Sequence, residues 1–476
     1  MRIVSGLQLS RLLGDWRGTG SAYETLAGAV TGLVRDGRLP AGARLPAERE
    51  LAGSLEISRT TVAAAYERLR ADGYLRSRRG SGSVITLPRG QSGGRAAGWV
   101  PTTSPDGVLD LAIAAMPATQ PIFGTAAQAA LDLLPDYSRN HGYDSAGLPE
   151  LREELAAGYR RRGVPTAAEE ILVTSGAQHG LDLLLRLLCR PGERVLMECP
   201  TYPNALAAVS GNNCRVVPVG LGDADWDVEL FSDTMRQSTP TLTYLIPEFQ
   251  NPTGWLMPAQ TRRALAEVAR RTGSYLVSDE SFVGLTFGAT EPGSLASFDG
   301  GERVICLGSM SKRYWGGLRI GWIRANAPLI RRLADLRAVV DMSQPVLEQL
   351  IACQLLAAGP AAVAQRCRDL ESRRDALVGA VRETFPDWSF FLPQGGMALW
   401  VRLEAPVSSA LSAAARRHGV VVAPGPRFGA AASMENYLRI PYTLSENELV
   451  EAVGRLERAH TETFQGGTGD PQVHVA

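Results

Sequence analysis

From Tyr23 the apolar residues Leu26, Val30, Leu33 and Val34 recur on one face of a helix, and Gly37 ends the run. A second helix is predicted to begin at Pro46, which suits a first helical position. It has Glu48 and Glu50 in a first turn that favours acids, with Leu51 and Leu55 facing inward. After the short Glu56-Ile57 turn, Ser58 can cap a third helix whose inner face is Val62, Tyr66 and Leu69 and whose end is Gly73. Two helices joined by so short a turn make a helix-turn-helix pattern. Gly80-Ser81-Gly82-Ser83 then predicts a hairpin wing whose glycines allow close backbone approach. Ahead of all this, residues 1–20 form an arm in which only a short helix around Leu7 to Trp16 can be read.

The pattern changes past the wing, which closes a head of α+β type over residues 21–86. Residues 87–107 are rich in Gly, Pro, Ser and Thr and read as a linker. If flexible, about 20 such residues span roughly 25 Å. From Leu109 onward helices alternate with short apolar strands, among them Ile171–Thr174, Arg194–Glu198, Leu242–Ile246, Tyr275–Ser278 and Val304–Leu307. This alternation predicts a mostly parallel α/β sheet over 108–464, in which ligands bind beyond the carboxyl ends of the strands. The tail 465–476 is expected to be disordered.

Composition adds little until it is localised. The 476 residues, 45% of them hydrophobic with zero formal net charge, describe a soluble multidomain protein with ample core. Between Arg59 and Gly90, however, seven arginines face two acids, a phosphate-binding footprint. Arg59, Thr60 and Thr61 fill the first turn of the third helix. Two adjacent β-branched residues are poor choices there for helix stability and good ones for touching base edges. A small helical protein-interaction domain with a solvated basic face is the competing reading. The six cysteines form no CxxC pair and read as reduced thiols of a cytoplasmic protein, and the five scattered histidines suggest no metal site. No run approaches the ~20 apolar residues of a membrane span, and the start lacks a signal-peptide pattern.

Lys312 is the only lysine among 49 lysines and arginines. A guanidinium serves surface charge equally well but cannot condense with an aldehyde, whereas an amine that loses its proton can. Ser309, Ser311 and Arg319 put two hydroxyls and a cation beside that amine, which suits a phosphate on an aldehyde cofactor. A nucleotide phosphate loop is rejected, because Arg313 stands where its hydroxyl residue should be. Other candidates follow the predicted strands. Ser175-Gly176-Ala177-Gln178 opens a helix whose free amides can hold a phosphate or simply mark an ordinary helix start. Asp279 ends a strand and could otherwise cap the next helix. Arg160-Arg161-Arg162 reads as a solvated helix end.

The segment Ser-x-Ser-Lys312 followed by Gly-x-Arg319-x-Gly resembles the cofactor-lysine segment of fold type I aminotransferases, which use pyridoxal 5'-phosphate. The resemblance implies a body with large and small subdomains, the small one mainly 350–464. It implies that Lys312 holds the cofactor covalently and that Ser175 to Gln178, Ser309, Ser311 and Arg319 hold its phosphate. It further implies that Tyr202 stacks on the ring, Asn251 of Asn251-Pro252-Thr253-Gly254 bonds the ring oxygen and Asp279 pairs with the ring nitrogen. Tyr143 would reach across a homodimer to the neighbour's phosphate, and Arg439 would fork onto a ligand carboxylate. The sequence departs from that pattern at Ser281 and Phe282, where a tyrosine is usual.

Pro40 to Val84, with Gly-x-Arg-Leu-Pro-Ala-Glu-Arg-Glu-Leu-Ala, Ile-Ser-Arg-Thr-Thr-Val, Asp-Gly-Tyr and Gly-Ser-Gly-Ser, resembles the winged helix of the GntR regulators. That match implies DNA contacts at Arg49, Ser58, Arg59, Thr60 and Thr61, with Arg79 and Gly80 in the wing. Together the two halves are similar to the MocR subgroup of bacterial transcription regulators, from Tyr23 to about Thr463. The subgroup implies a cytoplasmic homodimer that binds double-stranded operator DNA. Its effector would be pyridoxal phosphate or an amine or amino acid forming an aldimine in place of Lys312, without net turnover as the main role. Two alternatives stay open: a working aminotransferase that carries a DNA-binding head, and a relic fold that only dimerises the heads.

Overall fold

In the computed structural model, which describes residues 3–18, 20–78, 82–86, 105, 107–222, 225–288, 290, 292–299, 303–429 and 434–465, the first helical periods fold as a winged head. Its helices are α1 (Gly6–Leu13), α2 (Ala22–Arg35), α3 (Glu48–Leu55) and α4 (Arg59–Ala71), followed by the antiparallel pair β1 (Leu75–Arg78) and β2 (Gly82–Ile85). Arg79 and Gly80, the linker apart from Pro105 and Gly107, and the tail beyond Gln465 lie outside the described residues. Leu26, Val30, Leu33, Leu51, Val62, Tyr66 and Leu69 are all buried in one core, as their spacing predicts. Each fully buried Leu or Val contributes roughly 1.5–3 kcal/mol.

The arm belongs to the same core. Val4, Leu9 and Trp16 are buried in it, and the Gly6 amide donates to the Glu50 carboxylate at 2.7 Å. Helix α3 starts two residues later than Pro46. The Tyr66 hydroxyl donates to the Pro46 carbonyl at 2.9 Å, which ties Pro46 to α4, and Ala47 is extended with ψ 148°.

The body opens with β3 (Leu109–Leu111), α5 (Ile122–Tyr137) and α6 (Pro149–Arg161). Strands then alternate with helices: β4 (Ile171–Thr174), α7 (Ala177–Leu188), β5 (Arg194–Cys199), α8 (Pro203–Gly211), β6 (Arg215–Gly220) and α9 (Val228–Ser238). They continue with β7 (Leu242–Leu245), α10 (Ala259–Thr272), β8 (Tyr275–Asp279), β9 (Val304–Ser309) and β10 (Gly321–Arg324). These strands form one sheet in the order β4-β10-β9-β8-β7-β5-β6, parallel except for β10. Every residue of β4, β7, β9 and β10 is buried, as expected when helices cover both faces.

After α11 (Ala327–Arg337), α12 (Val346–Ala357) and α13 (Ala361–Thr384) comes a second sheet. It contains β11 (Ser389–Phe390), β12 (Ala398–Arg402), β13 (Val420–Pro424) and β14 (Tyr437–Pro441), with α14 (Ser408–Arg417) and α15 (Glu446–Gln465) against it. Its order is β11-β12-β14-β13-β3, so the strand that opens the body completes a sheet made from its end.

The head touches the body beside the large sheet. The Cys199 Sγ lies 3.7 Å from the Arg35 carbonyl, and a Cβ on Gly37 would meet the Gly220 amide at 2.4 Å. Among the described residues no helix is long and apolar enough to cross a membrane.

Candidate functional site

Four parallel strands, β5, β7, β8 and β9, point their carboxyl ends at one cleft, and β14 supplies the opposite wall. Strands β8 and β9 run further than their apolar cores suggest, so Asp279 and Ser309 are their last residues.

Lys312 stands in the centre. Its Nζ donates to the Ala114 carbonyl at 2.7 Å and lies 5.9 Å from the centre of the Phe282 ring, at the position where a tyrosine is usual. The side chain keeps some surface open to the cleft, yet protein surrounds it closely. Burial, reinforced by the Arg439 charge and opposed by Asp279, lowers its pKa from 10.5 to about 8. The Asp279 carboxylate accepts from the Tyr244 hydroxyl at 2.5 Å and from the Ser281 amide at 3.0 Å. Burial raises its pKa, while those hydrogen bonds and Lys312 pull it down.

Arg439 is buried. It donates to Asn251 Oδ1 at 3.1 Å and to the Ala112 carbonyl, while its Nε has no partner among the described residues. Burial lowers its pKa to about 10. Tyr202 is enclosed enough for burial to raise its pKa, and it feels the charges of Asp279, Arg439 and Arg319. These residues therefore share one space.

At the other end of the cleft, α7 begins after Gly176 without a side-chain cap, so its first amides are free to meet an anion. Gly176 has φ +82°, and a Cβ on Gly321 would stand 2.5 Å from its Cα, so the loop lies directly on β10. Arg319 donates to the Ser175 carbonyl, and its guanidinium lies 3.3 Å from where a Gly176 Cβ would be. The Ser311 amide donates to Ser309 Oγ at 3.1 Å, Ser175 Oγ bonds Gln344 at 2.8 Å, and Gln178 donates to the Asn204 carbonyl at 3.1 Å. Among the described residues Tyr143 has no hydrogen bond to this cluster. It is 61% exposed on the loop before α6 and stacks on His141.

Arg162 corrects the reading of a wholly solvated helix end. It donates to Glu280 at 2.8 Å and lies 3.8 Å from Glu248, which is itself paired with Arg262 at 2.5 Å. Two buried acids beside Asp279 require cations, and one of the three arginines turns inward to supply one. Two residues escaped the sequence reading, Glu198 and Tyr244. Both lie within strands, where the only signal was a polar group in an apolar run.

In the head, Ser58 Oγ accepts the Thr61 amide at 3.0 Å and bonds the Thr60 and Thr61 hydroxyls at 2.7 and 2.8 Å. Ser58, Arg59 and Thr60 are exposed, as is Arg49 on α3, and Thr61 is half-buried. Among the described residues the one ion pair of Arg59 is a 3.5 Å contact to Glu48, with 71% of the Arg59 side chain exposed. An ion pair so open to water contributes little and leaves the guanidinium available.

Comparison with known proteins matches both halves. Residues 106–456 match the family Aminotransferase class I and II, and residues 22–85 match Bacterial regulatory proteins, gntR family. The HTH-type transcriptional regulator TauR of Rhodobacter capsulatus is 28% identical over 477 residues, covering 93% of this chain and 97% of TauR. The probable rhizopine catabolism regulatory protein MocR of Rhizobium meliloti is 32% identical over 317 residues, which is 60% of this chain and 62% of MocR. The crystal structure of LysN, the alpha-aminoadipate aminotransferase of Thermus thermophilus complexed with N-(5'-phosphopyridoxyl)-L-leucine, aligns with a TM-score of 0.70 at 29% identity. That alignment covers 76% of this chain and 94% of LysN.

The cofactor of this body is pyridoxal 5'-phosphate, and the cleft fits it. An uncapped helix start beside Arg319 suits the phosphate, a buried carboxylate suits a ring nitrogen, and an amine depressed to about 8 suits an aldehyde. With a gntR-family head on an aminotransferase class I and II body, the chain belongs to the aminotransferase class I and II family and has the domain pairing of the MocR subgroup of GntR transcription regulators.

Proposed function

We propose that this regulator binds paired operator half-sites as a cytoplasmic homodimer and senses an amino acid, an amine or pyridoxal phosphate itself in the cleft at Lys312. When bound, the cofactor supplies an aldehyde that condenses with amines and a ring that withdraws electrons. In this reading Lys312 holds it until an amine displaces the side chain. Ser175, Gly176, Ala177, Gln178, Ser309, Ser311 and Arg319 hold the phosphate, Tyr202 stacks on the ring, Asn251 bonds the ring oxygen and Asp279 holds the proton on the ring nitrogen. Arg439 receives the ligand carboxylate, and Tyr143 of a second copy completes the phosphate site. Its 61% exposure in the single chain supports that role.

The observation that carries ligand sensing is Arg439. A buried guanidinium with an unpartnered Nε costs free energy unless an acid arrives to pair with it. The head contacts DNA through Arg49, Ser58, Arg59, Thr60 and Thr61, with Arg79 and Gly80 in the wing. Closure of the small subdomain would reposition the heads, which requires the ligand to bind the two states with different affinity. The contact of Arg35 and Gly37 with Cys199 and Gly220, close to Tyr202, supplies a route between head and cleft.

Absorption titration of the cofactor-loaded protein with amines, amino acids and cofactor analogues, repeated with bound operator DNA, tests the reading. Spectral changes whose midpoints move on adding DNA support it. Midpoints that ignore DNA count against it. A second reading, a working aminotransferase carrying a head, is favoured by the depressed amine of Lys312 and opposed by Phe282. Steady conversion of an amino acid with a keto-acid partner would establish it.

A further inference from the structure

Glu198 is the penultimate residue of β5 and is 1% exposed, in a strand whose other buried residues are apolar or sulfur-bearing. Among the described residues no arginine, lysine or histidine pairs with it. All its partners are donors: Trp226 Nε1 at 2.6 Å, the Ile246 amide at 3.2 Å to either oxygen, and Gln250 Nε2 at 3.1 Å. A buried carboxylate without a cation is a poor device for stability, since desolvation opposes its charge. Burial does oppose it here, and raises the Glu198 pKa to about 7 against the pull of its donors.

What the carboxylate does hold is Gln250. The Gln250 Nε2 also donates to the Pro200 carbonyl at 2.8 Å, and its Oε1 accepts from the Thr253 amide and hydroxyl at 3.0 and 2.8 Å. Pro200 lies two residues before Tyr202, and Asn251 lies between Gln250 and Thr253. Asn251 in turn accepts from Arg439. One amide therefore bridges the two loops, with the Pro200 carbonyl and the Thr253 amide setting which way it faces and the Glu198 carboxylate anchoring its nitrogen from a third side. Without an acceptor at Glu198, one Nε2 hydrogen of this buried amide is left unpaired and the bridge between the loops loses one of its anchors.

We propose that Glu198 is a positioning residue for the cofactor ring, acting through Gln250 to hold Tyr202 and Asn251 in register on the ring. This rests on the assignment of those two residues to the ring made above. The test uses the full chain loaded with pyridoxal phosphate and compares the parent with Glu198→Gln, Gln250→Leu and the double variant. Trp226→Phe serves as a control, since it removes one Glu198 donor while keeping an aromatic ring against Trp255 and leaving the Gln250 bridge in place. Cofactor affinity, the circular dichroism of the cofactor absorption band and the thermal unfolding of the cofactor-free chain are measured on each.

The expected result is a loss of cofactor affinity of about tenfold and a weakened or altered cofactor dichroism in Glu198→Gln and Gln250→Leu. The double variant should be no worse than the worse single one, because both break the same bridge. Trp226→Phe should melt earlier with its cofactor dichroism intact. Variants of Glu198 and Gln250 that melt earlier yet keep parent affinity and dichroism overturn the proposal, as does an additive double variant. If Glu198→Gln does not fold, Gln250→Leu decides the matter from the other side of the bridge. A parent protein without the cofactor band overturns the cofactor assignment and this inference with it.

Discussion

The pKa of Lys312 gives the most direct quantitative test of the cleft. Burial is the largest cause of its fall from 10.5 to about 8, and the Arg439 charge is the next. At pH 7 a group of pKa about 8 is neutral in about one molecule in ten, against about three in ten thousand for 10.5, a gain of about 300-fold in reactive amine. Mixing the cofactor-free chain with pyridoxal phosphate and following the growth of the cofactor band should give a rate that climbs about tenfold per pH unit and levels off near pH 8. Arg439→Gln should move the levelling point upward and Asp279→Asn downward, because the two charges act in opposite directions. The cofactor's own titration is common to all three proteins and cancels in the comparison. A rate still climbing at about pH 10 would refute the reasoning, and so would an Arg439→Gln profile that superposes on the parent. Stability follows the same sign. Because the folded pKa is depressed, the contribution of the neutral amine is whole above about 10.5 and is lost as pH falls through about 8.

Glu198 titrates in the opposite sense: its folded pKa is raised, so its contribution to stability is whole below about 4.5 and lost as pH rises through about 7. Glu198→Gln should therefore flatten the dependence of chemical unfolding on pH between those values, and an unchanged slope would contradict the assignment. Arg439→Gln should weaken the spectral response to amino acids by about 1.5–3 kcal/mol while sparing amines that lack a carboxylate, read from titration midpoints. Arg59→Ala should lose about 1–3 kcal/mol of operator binding and relax preference at one base pair in footprinting; equal footprints would remove α4 from the interface.

The candidate chemistry of this chain is legible where a strand ends and a loop begins. Short runs of four or five residues mark β4, β5, β7, β8 and β9, and the candidates Tyr202, Asn251 and Asp279 lie at or just past their ends. Lys312 was legible for a different reason, its isolation among arginines. What could not be read depended on contacts between distant parts of the chain. Nothing near Leu109 says that β3 will pair with β13 some 310 residues later, because strand pairing is set by the partner's register and not by local pattern. The start of α3 was missed because a hydroxyl on α4 takes the Pro46 carbonyl. Arg162 was misread for a similar reason: a basic helix end is normally solvated, and only the fold brings Glu280 and Glu248 beneath it.

Phe282 changes the electrical balance of the cleft in a way that bears on sensing. With a ring that carries no hydroxyl beside Lys312, the charges acting on that amine are Arg439, which disfavours its proton, and Asp279, which favours it. On the proposed function, a ligand carboxylate paired with Arg439 would cancel the first and leave the second. The amine would then hold its proton more tightly, and a protonated lysine is no nucleophile. Capture of the carboxylate at one end of the ligand would thus favour the protonated state of Lys312 at the other, through the field alone. By reciprocity, the displaced and protonated lysine strengthens the hold of Arg439 on the carboxylate. An amine without an acid group would gain neither effect, so on the proposed function the charge of Arg439 acting on Lys312 would discriminate amino acids from simple amines.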